Sequence, residues 1–232
     1  MMYLDWTYIL VIIGALICTF ASANVNSVYK KYAKVAGRSG ITGAQTAERI
    51  LRKNGITDVT IGHVSGSLTD HYDPSSQTVN LSDATYHSSS VAAVAVAAHE
   101  CGHVIQHHTD YLPIRIRTAL VPAANIGSKY GLLVVVIGLF LGMTDTLCRI
   151  GIVLFLFGVL FQLVTLPVEF DASHRGLQQL LDCGILAEDE VGSSRKVLKA
   201  AAMTYVAAAA ASILSLLRLI LMVNSRSSRR RR

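Results

Sequence analysis

Residues 99 to 103 read His-Glu-Cys-Gly-His, two imidazoles four positions apart with a carboxylate beside the first. On an α-helix positions i and i+4 share a face, so His99 and His103 can present their rings to one metal ion while Glu100, one step round, reaches a water on that ion. Zinc in a catalytic site takes three protein ligands, keeps a fourth position open, and lowers the pKa of the water there to about 7. Glu100 then has the place of a general base that takes the water's proton and hands it to the leaving amine. The chemistry this spacing points to is metal-assisted peptide hydrolysis. The motif stands in an apolar run, Val94-Ala-Val-Ala-Ala98 before it and Val104-Ile105 after it. Two histidines and a glutamate are costly to bury there unpaired, and ligation pairs them. The competing reading is a pair of core histidines satisfied by backbone carbonyls.

A third ligand must come from elsewhere. A Gly and then a His shortly after the second histidine would supply it on the same segment, but the chain continues Val-Ile-Gln-His-His-Thr-Asp. The other solution is a glutamate from a later helix, and the chain has only Glu48, Glu100, Glu169, Glu188 and Glu190. Glu169 is the best candidate. It follows Pro167, a residue suited to a helix's first turn, directly after an apolar stretch whose hairpin returns the chain to the same membrane face. The alternative is a membrane-edge carboxylate facing solvent, and Asp171 and His174 stand next as ligand candidates. His174 or Arg175 could instead donate to the oxyanion of a tetrahedral intermediate, a contact worth ~3 kcal/mol where it exists; a solvent-facing His174 is the plainer reading. His107 and His108 read as interface residues, since zinc needs no further protein ligand. Asp70, His71 and Asp73 read as turn formers.

The elements that must hold these residues are legible in outline. Ser88 to Ser90 offer an N-cap for a helix from Val91 to about His108 whose lack of a polar face implies burial on all sides. Upstream, Thr42-Gly-Ala-Gln45 is a capping-box pattern opening a helix with Ala44, Ala47, Ile50 and Leu51 on one side, ended by Asn54-Gly55. Between them, Val59-Thr60-Ile61 and Thr78 to Leu81 are short β-prone pieces broken by Gly62, Gly66 and the turn Tyr72-Asp73-Pro74-Ser75, which predicts a small sheet.

A mean hydropathy of +0.45 with 16% charged residues is too apolar for a purely soluble chain of 232 residues. Four stretches are long enough to span a bilayer as helix: about Trp6–Ala23, Ala119–Met143, Ile150–Leu166 and Ala200–Val223. The middle two form a hairpin around Thr144-Asp145-Thr146, and the last carries Arg218 where a long side chain can snorkel. The first lacks a basic n-region and an obvious small-residue cleavage site, so it reads as a retained span or signal anchor. Cys18, Cys101, Cys148 and Cys183 make no disulfide framework. The net charge of +6 owes five positives to Arg226 and Arg229–Arg232, without the aromatic interleaving of a nucleic-acid surface. Intramembrane charge is too sparse for a transport pathway.

The stretch Val-Ala-Ala-His-Glu-Cys-Gly-His-Val-Ile-Gln together with Leu-Pro-Val-Glu-Phe-Asp-Ala-Ser resembles the YugP-like family of bacterial membrane zinc metallopeptidases, related more distantly to HtpX-type proteases. The resemblance covers nearly the whole chain, including Asp70-His71-Tyr72-Asp73-Pro74 and the layout of spans. It implies His99 and His103 as ligands, Glu100 as catalytic base and Glu169 as third ligand. HtpX-type sites place an aspartate four positions after the ligand glutamate to brace a histidine; this chain has Ser173 there, with Asp171 as a substitute. Peptidases of this sort commonly bind substrate as an added strand, and Gln77 to Ser82, Gln77, Val79 and Asn80 above all, is placed to supply the edge; an ordinary buried strand is the alternative.

The expectation is a mainly α membrane protein with about four transmembrane helices and a small α+β gluzincin-like zinc peptidase domain. Its parts are an N-terminal span (1–26), a catalytic segment (27–118), a transmembrane hairpin (119–166), a third-ligand segment (167–199) and a last span with its basic tail (200–232). Cofactor and partners follow: one zinc ion per chain, a polypeptide substrate that is membrane-associated or unfolded, a lipid bilayer, and no nucleic acid. The rival reading is a zinc-binding membrane scaffold without useful proteolysis. Lys30, Lys31, Lys34 and Arg38 after the first span put the catalytic segment on the cytoplasmic face, although with four spans the arginine tail then violates the same rule.

Overall fold

A computed structural model describes residues 6–141 and 146–230, the side chains of Leu139 and of 226–230 excepted. Met143, the Thr144-Asp145 turn and the arginine side chains of the tail lie outside the described residues. In chain order the elements are α1 (Tyr8–Tyr32), α2 (Gly43–Lys53), β1 (Thr60–Val64), β2 (His71–Asp73), β3 (Thr78–Ser82), α3 (Asp83–Tyr86), α4 (Val91–His108), α5 (Leu112–Phe140), α6 (Leu147–Asp182) and α7 (Glu188–Arg230). The chain divides into two compact units.

One unit comprises the described residues up to Ala21, Arg115–Leu166 and Thr204 onward. The helices α1, α5, α6 and α7 are each long and apolar enough to cross a membrane, and this is a mainly α membrane protein with a small three-stranded sheet. Within this unit helices approach closely where side chains are small: a Cβ on Gly131 would lie 2.9 Å from the Phe155 nitrogen of α6. Arg218 stacks its guanidinium on the Tyr8 ring, 3.9 Å from the centroid.

The other unit holds Ser22–Ile114 and Pro167–Met203. Its core joins Ile50 and Leu51 of α2, Val79 and Leu81 of β3, Val94, Ala98, Cys101 and Val104 of α4, and Leu180 and Ile185 after them. The Thr42 capping box forms in full, with Thr42 Oγ1 accepting from the Gln45 N–H and Gln45 Oε1 accepting from the Thr42 N–H. Gly55, at φ +70, turns the chain out of α2. Ser90 caps α4 by accepting from the Ala93 N–H, and α4 buries residues on every face from Val91 to Gln106.

The sheet order is β1-β3-β2. β3 runs parallel to β1, with Ile61 opposite Val79, and antiparallel to β2, with Tyr72 opposite Val79 and His71 opposite Asn80. Both of its edges are therefore paired. This corrects the expectation that Gln77, Val79 and Asn80 offer an open edge, since a strand laddered on both sides has no free row of N–H and C=O groups. Gln77 lies outside the strand at φ +48, its side chain donating to Asp58 Oδ2. The sheet's free edges belong to β1 and β2.

Two boundaries also differ from expectation. α6 runs unbroken through Pro167 rather than starting a new helix there, so the span and the segment carrying Glu169 are one element. A proline costs one N–H and crowds the carbonyl four back, and long apolar helices accommodate this. α7 likewise begins at Glu188, well before the apolar stretch at Ala200.

Candidate metal centre

α4 fixes His99 and His103 one turn apart, their rings 4.7 Å between centroids and nearly perpendicular. α6 brings Glu169 against them: Glu169 Oε2 lies 3.3 Å from His99 Nε2 and 3.6 Å from His103 Nε2. The three ligand atoms all lie within 4.8 Å of one another. Among the described residues no other group of three His, Cys, Asp or Glu side chains has this geometry.

These separations are the test of whether a metal fits. Ligand atoms held about 2.1 Å from a tetrahedral zinc stand roughly 3.4 Å apart along an edge of the tetrahedron. Both N···O distances bracket that value, and both exceed the range of a good N–H···O hydrogen bond. Two imidazole nitrogens and a carboxylate oxygen suit zinc, with a fourth position left for water. Glu169 is 2% exposed and His103 9%, while the His99 side chain is 13% exposed, so the donor set faces little bulk water and opens to it at His99. Burial disfavours charge on His103, yet the adjacent Glu169 carboxylate and the charge of Glu100 outweigh this and raise its pKa above the ordinary histidine value. A negative well beside the rings is what a cation site requires.

The far nitrogens of both rings are tied. With Nε2 turned to a metal, Nδ1 carries the hydrogen; His103 Nδ1 then donates to Gln106 Oε1 at 3.0 Å and His99 Nδ1 to Ser173 Oγ at 3.1 Å. Ser173 thus makes the contact that the resemblance assigns to an aspartate. Gln106 is fully buried and fully bonded, its amide donating to the Val168 carbonyl at 2.7 Å and to Asp171 Oδ2 at 2.9 Å. Asp171 in turn accepts from Arg175 Nε at 2.6 Å. A chain from His103 through Gln106 and Asp171 to Arg175 locks one ligand in place, and Arg175 is spoken for by that carboxylate. His174 is exposed. Of the turn formers, Asp70 accepts from the Ser82 N–H and hydroxyl and Asp73 from Ser75 and Ser76, while His71 belongs to β2.

Glycine lets the two helices meet. A Cβ on Gly102 would run into the Ala172 carbonyl oxygen of α6, and one on Gly176 would stand 2.7 Å from the Ala98 carbonyl oxygen of α4. The crossing of α4 and α6 at these two points carries Glu169 to the histidines. Neither Gly176 nor Gln106 stands out in the sequence. Only the spacing of Gln106, one helical turn after His103, hints at its bond.

The comparisons with known proteins give the chain's family. A family model described as "Putative neutral zinc metallopeptidase" matches residues 7–224. The chain belongs to this family. A curated relative, the "Putative membrane protease YugP" of Bacillus subtilis (strain 168), is 45% identical over 203 residues, covering 87% of this chain and 90% of its own. No solved structure matches. The matched range takes in both α4 and the Glu169 segment of α6.

Proposed function

We propose that the chain is a membrane zinc endopeptidase that holds one zinc ion with His99, His103 and Glu169 and uses Glu100 as general base. The observation that carries this reading is the spacing of His99 Nε2, His103 Nε2 and Glu169 Oε2, which suits a tetrahedral ion better than hydrogen bonds. Zinc bound there supplies Lewis acidity and lowers the pKa of water at its open position to about 7. Glu100 adjoins the first ligand in the chain and is almost fully buried, where a carboxylate can accept that water's proton and return it to the departing amine. Gln106 and Ser173 orient the two imidazoles. With Arg175 held by Asp171, the exposed His174 is the remaining side chain proposed to steady the oxyanion.

Substrates are membrane-associated or unfolded polypeptides, met at the cytoplasmic face. The lysines that close α1 support that orientation. Glu100→Gln tests the assignment of the base. The variant should keep its zinc and lose nearly all cleavage of an unstructured protein such as casein. Undiminished cleavage would remove Glu100 from the mechanism, and zinc with no cleavage in the unaltered protein would favour a scaffold.

A further inference from the structure

The last turns of α1 and the stretch of α7 beside them form an open cavity of about 380 Å³ lined by Asn24, Val28, Lys31, Tyr32, Lys196, Lys199, Ala200 and Met203, the three lysines exposed at its rim. We propose that this cavity is a binding site for the phosphate of an anionic phospholipid, with Lys31, Lys196 and Lys199 around the headgroup and Val28, Ala200 and Met203 against the start of the acyl chains. Three features carry it.

Three cations converge there without an acid among the lining residues. Arg38, Arg52 and Arg175 of the same unit each have a carboxylate partner, Asp189, Glu48 and Asp171. Among the described residues none of the three cavity lysines has an ion pair. Two of the three acids at the start of α7 are engaged elsewhere, Asp189 with the Arg38 guanidinium and Glu190 with the Arg38 and Ala187 N–H groups, and Glu188 is not among the residues lining the cavity. Like charges held together without a counter-ion repel, and a phosphate relieves that repulsion.

The second feature is where the lysines stand along their helices. α1 is apolar from Tyr8 and meets its lysines only in its last turns, and α7 becomes apolar immediately after Lys199. Both helices therefore change from apolar to cationic at this cavity, which is the pattern of a membrane-water boundary. Topogenic charge alone does not require residues from two ends of the sequence to line one cavity. The third feature is the mixed lining, since an aliphatic floor beside the ammonium groups suits a headgroup with its chains attached better than free phosphate.

The test uses the full chain, purified in a neutral detergent, and follows its melting temperature with added dioctanoyl-phosphatidylglycerol, dioctanoyl-phosphatidylcholine or inorganic phosphate. The phosphatidylglycerol should raise the melting temperature saturably, and the other two should not. In the Lys31→Gln, Lys196→Gln, Lys199→Gln variant the apparent affinity should fall at least about tenfold, with zinc content and the melting temperature without lipid unchanged. The Lys30→Gln, Lys34→Gln variant removes exposed cations outside the cavity and should bind like the unaltered chain. Equal weakening in both variants would mean diffuse surface attraction and overturn the site. So would an equal response to inorganic phosphate, or undiminished binding by the triple variant. Should the triple variant fail to fold, Lys196→Gln and Lys199→Gln singly, each weaker than Lys34→Gln, must carry the same contrast.

Discussion

At the scale of single residues the centre separates ligands from the groups that aim them. Glu169→Ala removes the charged ligand, so zinc retained after gel filtration in mild chelator should drop far below the unaltered level. Glu188→Ala, at an exposed position, should leave it unchanged. Equal retention in the two would move the third ligand elsewhere. Gln106→Leu keeps bulk but leaves His103 Nδ1, the Val168 carbonyl and Asp171 each short of a partner. Zinc affinity should fall about 10- to 100-fold, read by competition with a chelating dye, and Ser173→Ala should cost less because a single bond is lost. His99, Glu100 and His103 were legible because their relation is local, set by one helical turn. Glu169 was reachable because the chain has few glutamates to choose from. Gln106 was not, because its task depends on Val168 and Asp171, 62 and 65 residues away.

At the scale of elements the centre depends on how near α4 can come to α6. Gly102→Val should push the helices apart at Ala172, costing about 1–3 kcal/mol by overpacking and with it much of the zinc affinity. The measurement is melting temperature and metal content on one preparation; a Gly102→Val protein that keeps both would show that the crossing has slack. Caps made α2 and α4 readable, since Thr42, Gln45 and Ser90 satisfy N–H groups that any helix start leaves open. β2 was hidden: it is three residues long, and Asp73-Pro74 beside it gives a stronger turn signal than His71-Tyr72-Asp73 gives a strand signal. That one strand reverses the reading of β3 from edge to centre. Pro167 misled in the same way, because its local preference for a helix start yields to the length of an apolar helix already under way.

At the scale of the whole molecule, the chain combines four helices long and apolar enough to cross a membrane with a second compact unit that holds the small sheet and the metal centre. The composition announced this, but which face carries the centre rests on the lysines after the first span. A single cysteine at Ser75, in a background where Cys18, Cys101, Cys148 and Cys183, none of them in a disulfide, are replaced, should resist a membrane-impermeant maleimide in intact cells and react after permeabilisation. Ready labelling in intact cells would invert the orientation. The sequence distance across the centre has a consequence for biosynthesis. His99 and Ser173 touch across 74 residues, with all of α5 and the first half of α6 between them. The ribosome has therefore made both histidines and Glu100 well before Glu169 exists. A chain stalled or released in that interval has two imidazoles and Glu100 but lacks the carboxylate that completes the group of three. On the proposed function, cleavage would have to wait until the hairpin of α5 and α6 has been synthesised.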